Sequence, residues 1–177
     1  RVIWHGGGIN GFNTVLMRMP SEKNFVVLLN NTGGTRLDEM CRSIRGILYG
    51  RTFDPPKKSM ADKIMMLYSE SGMEPAVKQF HEIKEKQHDK FYIDENEMNA
   101  FGYFLLGQKK NKEAIEIFKL NVETFPQSWN VYDSMGEAWM DKGDYKKAIA
   151  YYEKSLALNP NNQNGKDLIK KMKEKKN

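Results

Sequence analysis

Residues Glu95–Pro160 read ENEMNAFGYFLLGQKKNKEAIEIFKLNVETFPQSWNVYDSMGEAWMDKGDYKKAIAYYEKSLALNP, and they state one pattern twice. Gly102 recurs as Gly136, Ala114 as Ala148, Phe118 as the aromatic Tyr152, and Pro126 as Pro160. The offset is the same each time, about 34 residues, a period that fits a pair of antiparallel helices. One such pair cannot bury its apolar face alone, but it can when stacked on a neighbour. The sequence therefore predicts a mostly α chain, an α-α superhelix of helix pairs. A stack of this kind presents a surface and performs no chemistry.

The punctuation agrees. Phe125-Pro126 and Asn159-Pro160 end the second helix of each pair, because proline disfavours helix at the residue before it. Glycine within a helix costs about 1 kcal/mol relative to alanine, so Gly102 and Gly136 at one repeat position imply a close approach. The second helix, at Ala114 and Ala148, is the expected neighbour. Upstream, Met60 to Ser69 and Pro75 to Glu85 form a pair around Gly72, with Ala76 aligned to Ala114, Phe80 to Phe118, and Ile64 where the others carry glycine. Residues 57–90 thus read as a degenerate first repeat before 95–128 and 129–162. Leu168, Ile169 and Met172 give one apolar face to a last helix, 163–176, whose other side is lysine-rich, as a solubilising cap on a stack would be.

This pattern resembles the tetratricopeptide repeat. In that family the first helix of each repeat lines a concave groove that holds a protein or peptide partner. Carried onto this chain, the groove positions are Asn96, Asn99, Tyr103 and Leu106, then Asn130, Asp133, Glu137 and Met140. The lysine and arginine clamp that some such domains use for a terminal carboxylate does not stand at these positions. The surface is amide-rich and becomes acidic toward the later repeat, so an extended neutral or basic peptide segment is the expected ligand.

Composition sets outer limits. Of 177 residues 29% are charged and 40% hydrophobic, which reads as a globular chain rather than a disordered one. No apolar run approaches the roughly 20 residues that span a bilayer. The formal charge of +5 is concentrated at the end, in Lys166, Lys170, Lys171, Lys173, Lys175 and Lys176 against Asp167 and Glu174. No aromatic stacking platform accompanies these lysines, so they read as a solvated helix end suited to the helix dipole, not as a nucleic-acid site. Cys41 is the only cysteine; it excludes an intrachain disulfide and a cysteine-rich zinc site and reads as a core thiol. His81 and His88 read as parts of a solvated, charged face. No metal and no cofactor is expected. The repeat aromatics Tyr103, Tyr132, Trp139, Tyr151 and Tyr152 read as core or groove.

Residues 1–50 have a different rhythm. Arg1 to Trp4 is β-prone and His5-Gly6-Gly7-Gly8 breaks any helix. Phe12 to Met19 and Phe25 to Leu29 read as strands, separated by a polar turn from Pro20 to Asn24. A loop with Gly33 and Gly34 precedes a helix that Thr35 is placed to cap, with Asp38 three residues on. Leu37, Met40, Cys41, Ile44, Ile47 and Leu48 fall on one face of that helix. Residues 51–59, with Pro55-Pro56 and Lys57-Lys58, read as a linker. Two or three short strands support such a helix only marginally, and the chain starts at Arg1 rather than methionine, so it is expected to continue upstream.

Trp4-His5-Gly6-Gly7-Gly8-Ile9-Asn10-Gly11-Phe12, then Pro20 with Glu22-Lys23-Asn24, then Val26-Val27-Leu28-Leu29-Asn30-Asn31 and an amphipathic helix, resembles the C-terminal end of a serine β-lactamase-like domain. The group is that of class C β-lactamases, esterases and penicillin-binding-protein-like hydrolases. The resemblance implies that residues 1–50 are a strand-plus-helix remnant of an α/β serine hydrolase domain, with His5 at the lysine position of a Lys-Thr-Gly motif, Gly7 at its glycine, and Gly8 where an oxyanion-hole N–H is supplied. It also implies a periplasmic or cell-envelope location and an upstream part of the hydrolase domain as partner. His5 and Gly6 depart from Lys-Thr, which favours ester or peptide hydrolysis over β-lactam recognition. Neither the Ser-x-x-Lys that supplies nucleophile and base nor a Tyr-x-Asn occurs in the chain, so these residues alone are not expected to be active. Two readings stay open: a repeat module joined to the end of a hydrolase, or a non-catalytic repeat scaffold braced by its first 50 residues.

Overall fold

Alternation decides the first unit. Along Phe12–Met19 the side chains of Val15, Met17 and Met19 are buried while Phe12, Leu16 and Arg18 between them are exposed, the period of two that a strand with one covered face requires. The computed structural model describes residues 1–31 and 35–174, in two units, Arg1–Lys57 and the chain from Lys58 onward.

In the first unit β1 (Ile3–Ile9), β2 (Phe12–Met19) and β3 (Asn24–Asn30) form an antiparallel meander in the order β1-β2-β3. Asn10-Gly11 turns β1 into β2, with Gly11 at φ +81°, a conformation that suits the two-residue hairpin turn. A short 3-10 turn, Pro20–Glu22, closes on Lys23 at φ 54°. α1 (Leu37–Leu48) lays Leu37 and Cys41 against Val15, Met17, Met19 and Val26. Burial, with Asp38 nearby, raises the Cys41 thiol pKa, so the thiol stays protonated within a core.

β1 runs on through His5-Gly6-Gly7-Gly8, which is not helical: pairing of Gly6 with Val15 and Gly7 with Thr14 holds the glycines extended. Two expectations for this unit need correction. Thr35 does not cap α1: the cap residue is Arg36, with no side-chain capping bond. Thr35 is engaged by the sheet instead, its carbonyl accepting from Asn13 Nδ2 at 2.8 Å and its hydroxyl from Asn30 Nδ2 at 2.7 Å. Ile47 and Leu48 are exposed, and at this end of the helix Tyr49 packs on the sheet core instead, its hydroxyl 3.4 Å from Met19 Sδ. The chain returning through Thr52–Asp54 packs on α1 at Gly46, where Phe53 lies, and Ser43 Oγ donates to the Asp54 carbonyl at 2.6 Å. Gly33 and Gly34 of the expected loop, like Lys175 and Lys176, lie outside the described residues.

The second unit begins with β4 (Lys58–Ser59), paired in parallel with β5 (Phe91–Tyr92); at both ends, then, the expected linker 51–59 is engaged in structure. Seven helices follow among the described residues: α2 (Met60–Ser71), α3 (Met73–Lys86), α4 (Glu95–Gly107), α5 (Asn111–Thr124), α6 (Trp129–Asp141), α7 (Tyr145–Leu158) and α8 (Gln163–Glu174). Local chemistry starts several of them. Ser59 Oγ accepts from Asp62 N at 3.1 Å, Asp94 Oδ1 from Asn96 N and Glu97 N at 2.9 and 3.1 Å, and Asp144 Oδ1 from Lys147 N at 3.1 Å, each satisfying orphan donors of a first turn.

α2 packs on α3, α4 on α5 and α6 on α7; α4 and α5 then meet α6, and α8 closes on α7. Ile64, Phe80, Phe101, Phe118, Met135 and Tyr152 are fully buried in one continuous core. The glycines do mark close approach, but to the aromatics rather than to Ala114 and Ala148. A methyl group at Gly102 would stand within 3.0 Å of three Phe118 ring atoms, and one at Gly136 would stand 3.0 Å from three atoms of Tyr152. The alanines are buried at the same interfaces.

Candidate functional site

The first helices of successive pairs, α4 and α6, meet through polar groups. The Tyr103 hydroxyl donates to Glu137 Oε2 at 2.9 Å and lies 3.2 Å from Ser134 Oγ, which donates to it. Burial, opposed by the Ser134 bond and reinforced by Glu137, carries the Tyr103 pKa well above its ordinary value. The hydroxyl therefore remains a donor at neutral pH.

Asp133, one turn before Glu137, accepts a hydrogen bond from Asn162 Nδ2. Asn162 also donates to Ser155 Oγ at 3.1 Å and accepts from Gly165 N at 3.0 Å, so one amide fixes the carboxylate and the first turn of α8 together. Burial raises the Asp133 pKa and the Asn162 bond opposes it. Tyr152 is fully buried and its hydroxyl has no hydrogen-bond partner among the described residues. Its pKa is raised by burial first, then by Asp133 and Glu137.

Of the eight expected groove residues, the structure brings Tyr103, Asp133 and Glu137 together. Asn130 Nδ2 donates to Glu95 Oε1 at 3.0 Å and ties α6 to the start of α4; Asn96 is exposed. Asn99 and Leu106 are buried and cannot line a groove. Asn99 Oδ1 accepts from the fully buried Asn121 Nδ2 at 2.9 Å, which also donates to the Glu95 carbonyl at 3.0 Å. Leu106 packs into the core. Met140 is half-buried and shares a small cleft with Tyr145, Leu168 and Met172 at the closing helix. Ser134 and Asn162 were not expected in the site, and Tyr152, read as core or groove, is core. A signal existed for Ser134, which occupies the repeat position held by Ala100. Toward the first pair the surface turns apolar, with Met65, Met66 and Phe104 exposed around a cleft that Tyr68 and Gln108 also line.

In the first unit His5 lies on the sheet face away from α1, opposite Leu16, which pairs in turn with Val27. Gly7 and Gly8 follow it on an edge strand whose outer backbone groups have no strand partner among the described residues. Around His5 this face is apolar: Ile3, Ile9, Phe12, Leu16, Val27 and Leu29 are exposed. His81 Nε2 stands 4.0 Å from Glu123 Oε2 on an exposed surface. Among the described residues no three His, Cys, Asp or Glu side chains are grouped to hold a metal ion, and no helix is long and apolar enough to cross a membrane.

Residues 129–162 match the tetratricopeptide repeat family model. These are α6, α7 and the turn through Asn162, so this stretch of the chain is a tetratricopeptide repeat. No curated protein matches the sequence. Among solved structures the chain is similar to a crystal structure of MamA, at 14% identity and a TM-score of 0.47, over 66% of each chain, just short of two thirds of that protein's length. It is similar to the Sgt2 TPR domain from Aspergillus fumigatus, at 17% identity and a TM-score of 0.45, over 68% of this chain and 84% of the other. It is also similar to PcrH in complex with the chaperone binding region of PopB, at 12% identity and a TM-score of 0.39, over 64% and 88%.

Proposed function

We propose that this chain is a non-catalytic interaction module whose helical stack holds an extended segment of a protein partner along the face of α4 and α6. The observation that carries the reading is the Tyr103–Ser134–Glu137 cluster, which joins the first helices of two successive pairs at a polar, partly open surface. An extended chain needs fixed donors and acceptors at intervals, and helices stacked in register supply them. Asn96, Asn130 and Asp133 extend the face on either side. The ligand favoured is neutral or basic, since the carboxylates here repel an acidic one. Titration of the full chain with capped neutral, capped basic and free-carboxylate acidic peptides tests this. Tightest binding by the acidic peptide, improved further by Asp133→Lys, would overturn it.

A second reading is favoured by the first unit, where a three-stranded sheet carries a helix on one face and exposed apolar side chains on the other. That arrangement supports descent from the serine-hydrolase-like domain that residues 1–50 resemble, with His5, Gly7 and Gly8 on the strand beside a nucleophile carried by other residues. The envelope location belongs to this reading alone. A coding sequence upstream of Arg1 that specifies Ser-x-x-Lys and Tyr-x-Asn would support it; an unrelated upstream sequence would leave the scaffold.

A further inference from the structure

Asp133 and Glu137 stand four residues apart on α6, where like charges face each other and destabilise a helix slightly. Both are half-buried, and among the described residues neither has a cationic partner. Their partners are neutral, Asn162 for Asp133 and Tyr103 for Glu137. Burial of a carboxylate costs free energy unless charge or hydrogen bonds compensate it, and one amide and one hydroxyl compensate this pair only in part.

A separate observation concerns Tyr152. Its exposure is 0%, yet its hydroxyl has no hydrogen-bond partner among the described residues. The ring lies against Gly136, the residue next to Glu137 on α6. Tyr152 thus packs behind the turn of α6 that carries the two carboxylates, and their charge adds to burial in raising its pKa.

We propose that Tyr103, Asp133 and Glu137, backed by the buried Tyr152, form a receptor for the cationic head of a lysine or arginine side chain on a bound extended peptide. The proposal rests on the reading of this face as a peptide groove and names what the groove selects. An ammonium or guanidinium group brings several donors and no acceptor, which suits a site whose open valences are carboxylate and hydroxyl oxygens. Such charge-assisted bonds are stronger than neutral ones. A neutral side chain would leave the carboxylate pair uncompensated. The exposed Met65, Met66 and Phe104, in the cleft between α2 and α4, suit apolar residues elsewhere in the same peptide.

The test uses the full chain and pools of capped peptides with leucine-rich flanks and a fixed central residue: arginine, lysine, glutamine or glutamate. The arginine and lysine pools are expected to bind about tenfold more tightly than the glutamine pool, the scale of a hydrogen bond to a charged group, and the glutamate pool more weakly than any. Raising salt from about 50 to about 500 mM should erode that ratio. Glu137→Gln and Asp133→Asn should each bring it toward one. Tyr152→Phe, which keeps the ring in place, should lower it with a melting temperature no lower than the parent's, an effect that a purely structural role for Tyr152 would not produce. Equal binding of all pools, lost in Asn130→Ala, would overturn the cation receptor and leave the peptide groove standing. Absence of binding by every pool would overturn both.

Discussion

The ring of Tyr152 lies against Gly136 so closely that a methyl group there would stand 3.0 Å from three ring atoms, and Phe118 crowds Gly102 more tightly still. Alanine in place of glycine gains about 1 kcal/mol of helix propensity, while overpacking a core costs about 1–3 kcal/mol. The two glycines should therefore respond differently. Gly136→Ala is expected to be nearly neutral, because the Tyr152 ring must yield only a few tenths of an ångström. Gly102→Ala should destabilise, because the added methyl would stand as close as 2.4 Å to the Phe118 ring and the buried ring must move much further. Gly136→Val should destabilise by about 2 kcal/mol. Urea unfolding of the three variants checks the order; equal midpoints would show that these contacts do not set the glycine positions.

That contact also shows what the sequence could and could not disclose. A period repeated at Gly102 and Gly136 reveals that something approaches closely, and Phe118 and Tyr152 recur at the same spacing. Which of several recurring residues makes the contact depends on side-chain reach across two helices, and alanine is too short. The site follows the same rule. Tyr103, Asp133 and Glu137 were legible because they hold the groove positions of the first helices of successive repeats, Tyr103 on α4 and the two carboxylates on α6. Asn99 and Leu106 hold such positions by periodicity yet are buried, because Asn121 and the core take them from the other side. Asn162 was not legible, since its role depends on where the turn after Pro160 places an amide. In the first unit, His5-Gly6-Gly7-Gly8 was legible as a stretch that forms no helix, whereas its pairing with β2 depends on partners the local composition does not name.

Asn121 gives a second prediction. It is fully buried, and its amide holds both the Asn99 side chain and the Glu95 carbonyl. Asn121→Leu leaves two acceptors without a donor and should cost about 2–3 kcal/mol. Replacing both amides, in Asn99→Leu/Asn121→Leu, removes the unpaired Asn99 oxygen and should cost less than the sum of the two single changes. Thermal melts of the four proteins complete the cycle; strict additivity would argue against a shared bond.

The helical unit has its own core, and the ladder between Lys58–Ser59 and Phe91–Tyr92 lies wholly within it. A fragment of residues 58–177 should therefore fold alone, with a single cooperative helical melt. Residues 1–57 pair one sheet face with a single helix and leave the other apolar face open, so as a fragment they should be marginal and prone to associate. Circular dichroism and light scattering of the two pieces decide this. A 58–177 fragment without a cooperative transition would show that the repeats need the first unit.

Asp133 ties stability to pH in the direction opposite to most surface carboxylates. Burial raises its folded-state pKa above the ordinary 3.8, against the opposing bond from Asn162. A carboxyl whose pKa is raised on folding binds its proton more tightly in the native state than in the unfolded chain. Its favourable contribution is complete below 3.8, falls as pH rises through the folded value, and leaves ionised Asp133 destabilising at neutral pH. Asp133→Asn removes that burden, and the substituted side chain still offers Asn162 Nδ2 an acceptor oxygen. The variant should melt at a higher temperature than the parent at pH 7, and the difference should shrink as pH falls through the raised folded-state value toward the ordinary 3.8, as the parent carboxyl takes up its proton. Melting curves of the two proteins across that range read the effect directly, since other titrating groups cancel between them. A lower melting temperature for Asp133→Asn at pH 7, with the gap closing on acidification, would mean that the Asn162 bond to the ionised carboxylate outweighs burial. It would also weaken the case that this carboxylate awaits a cation.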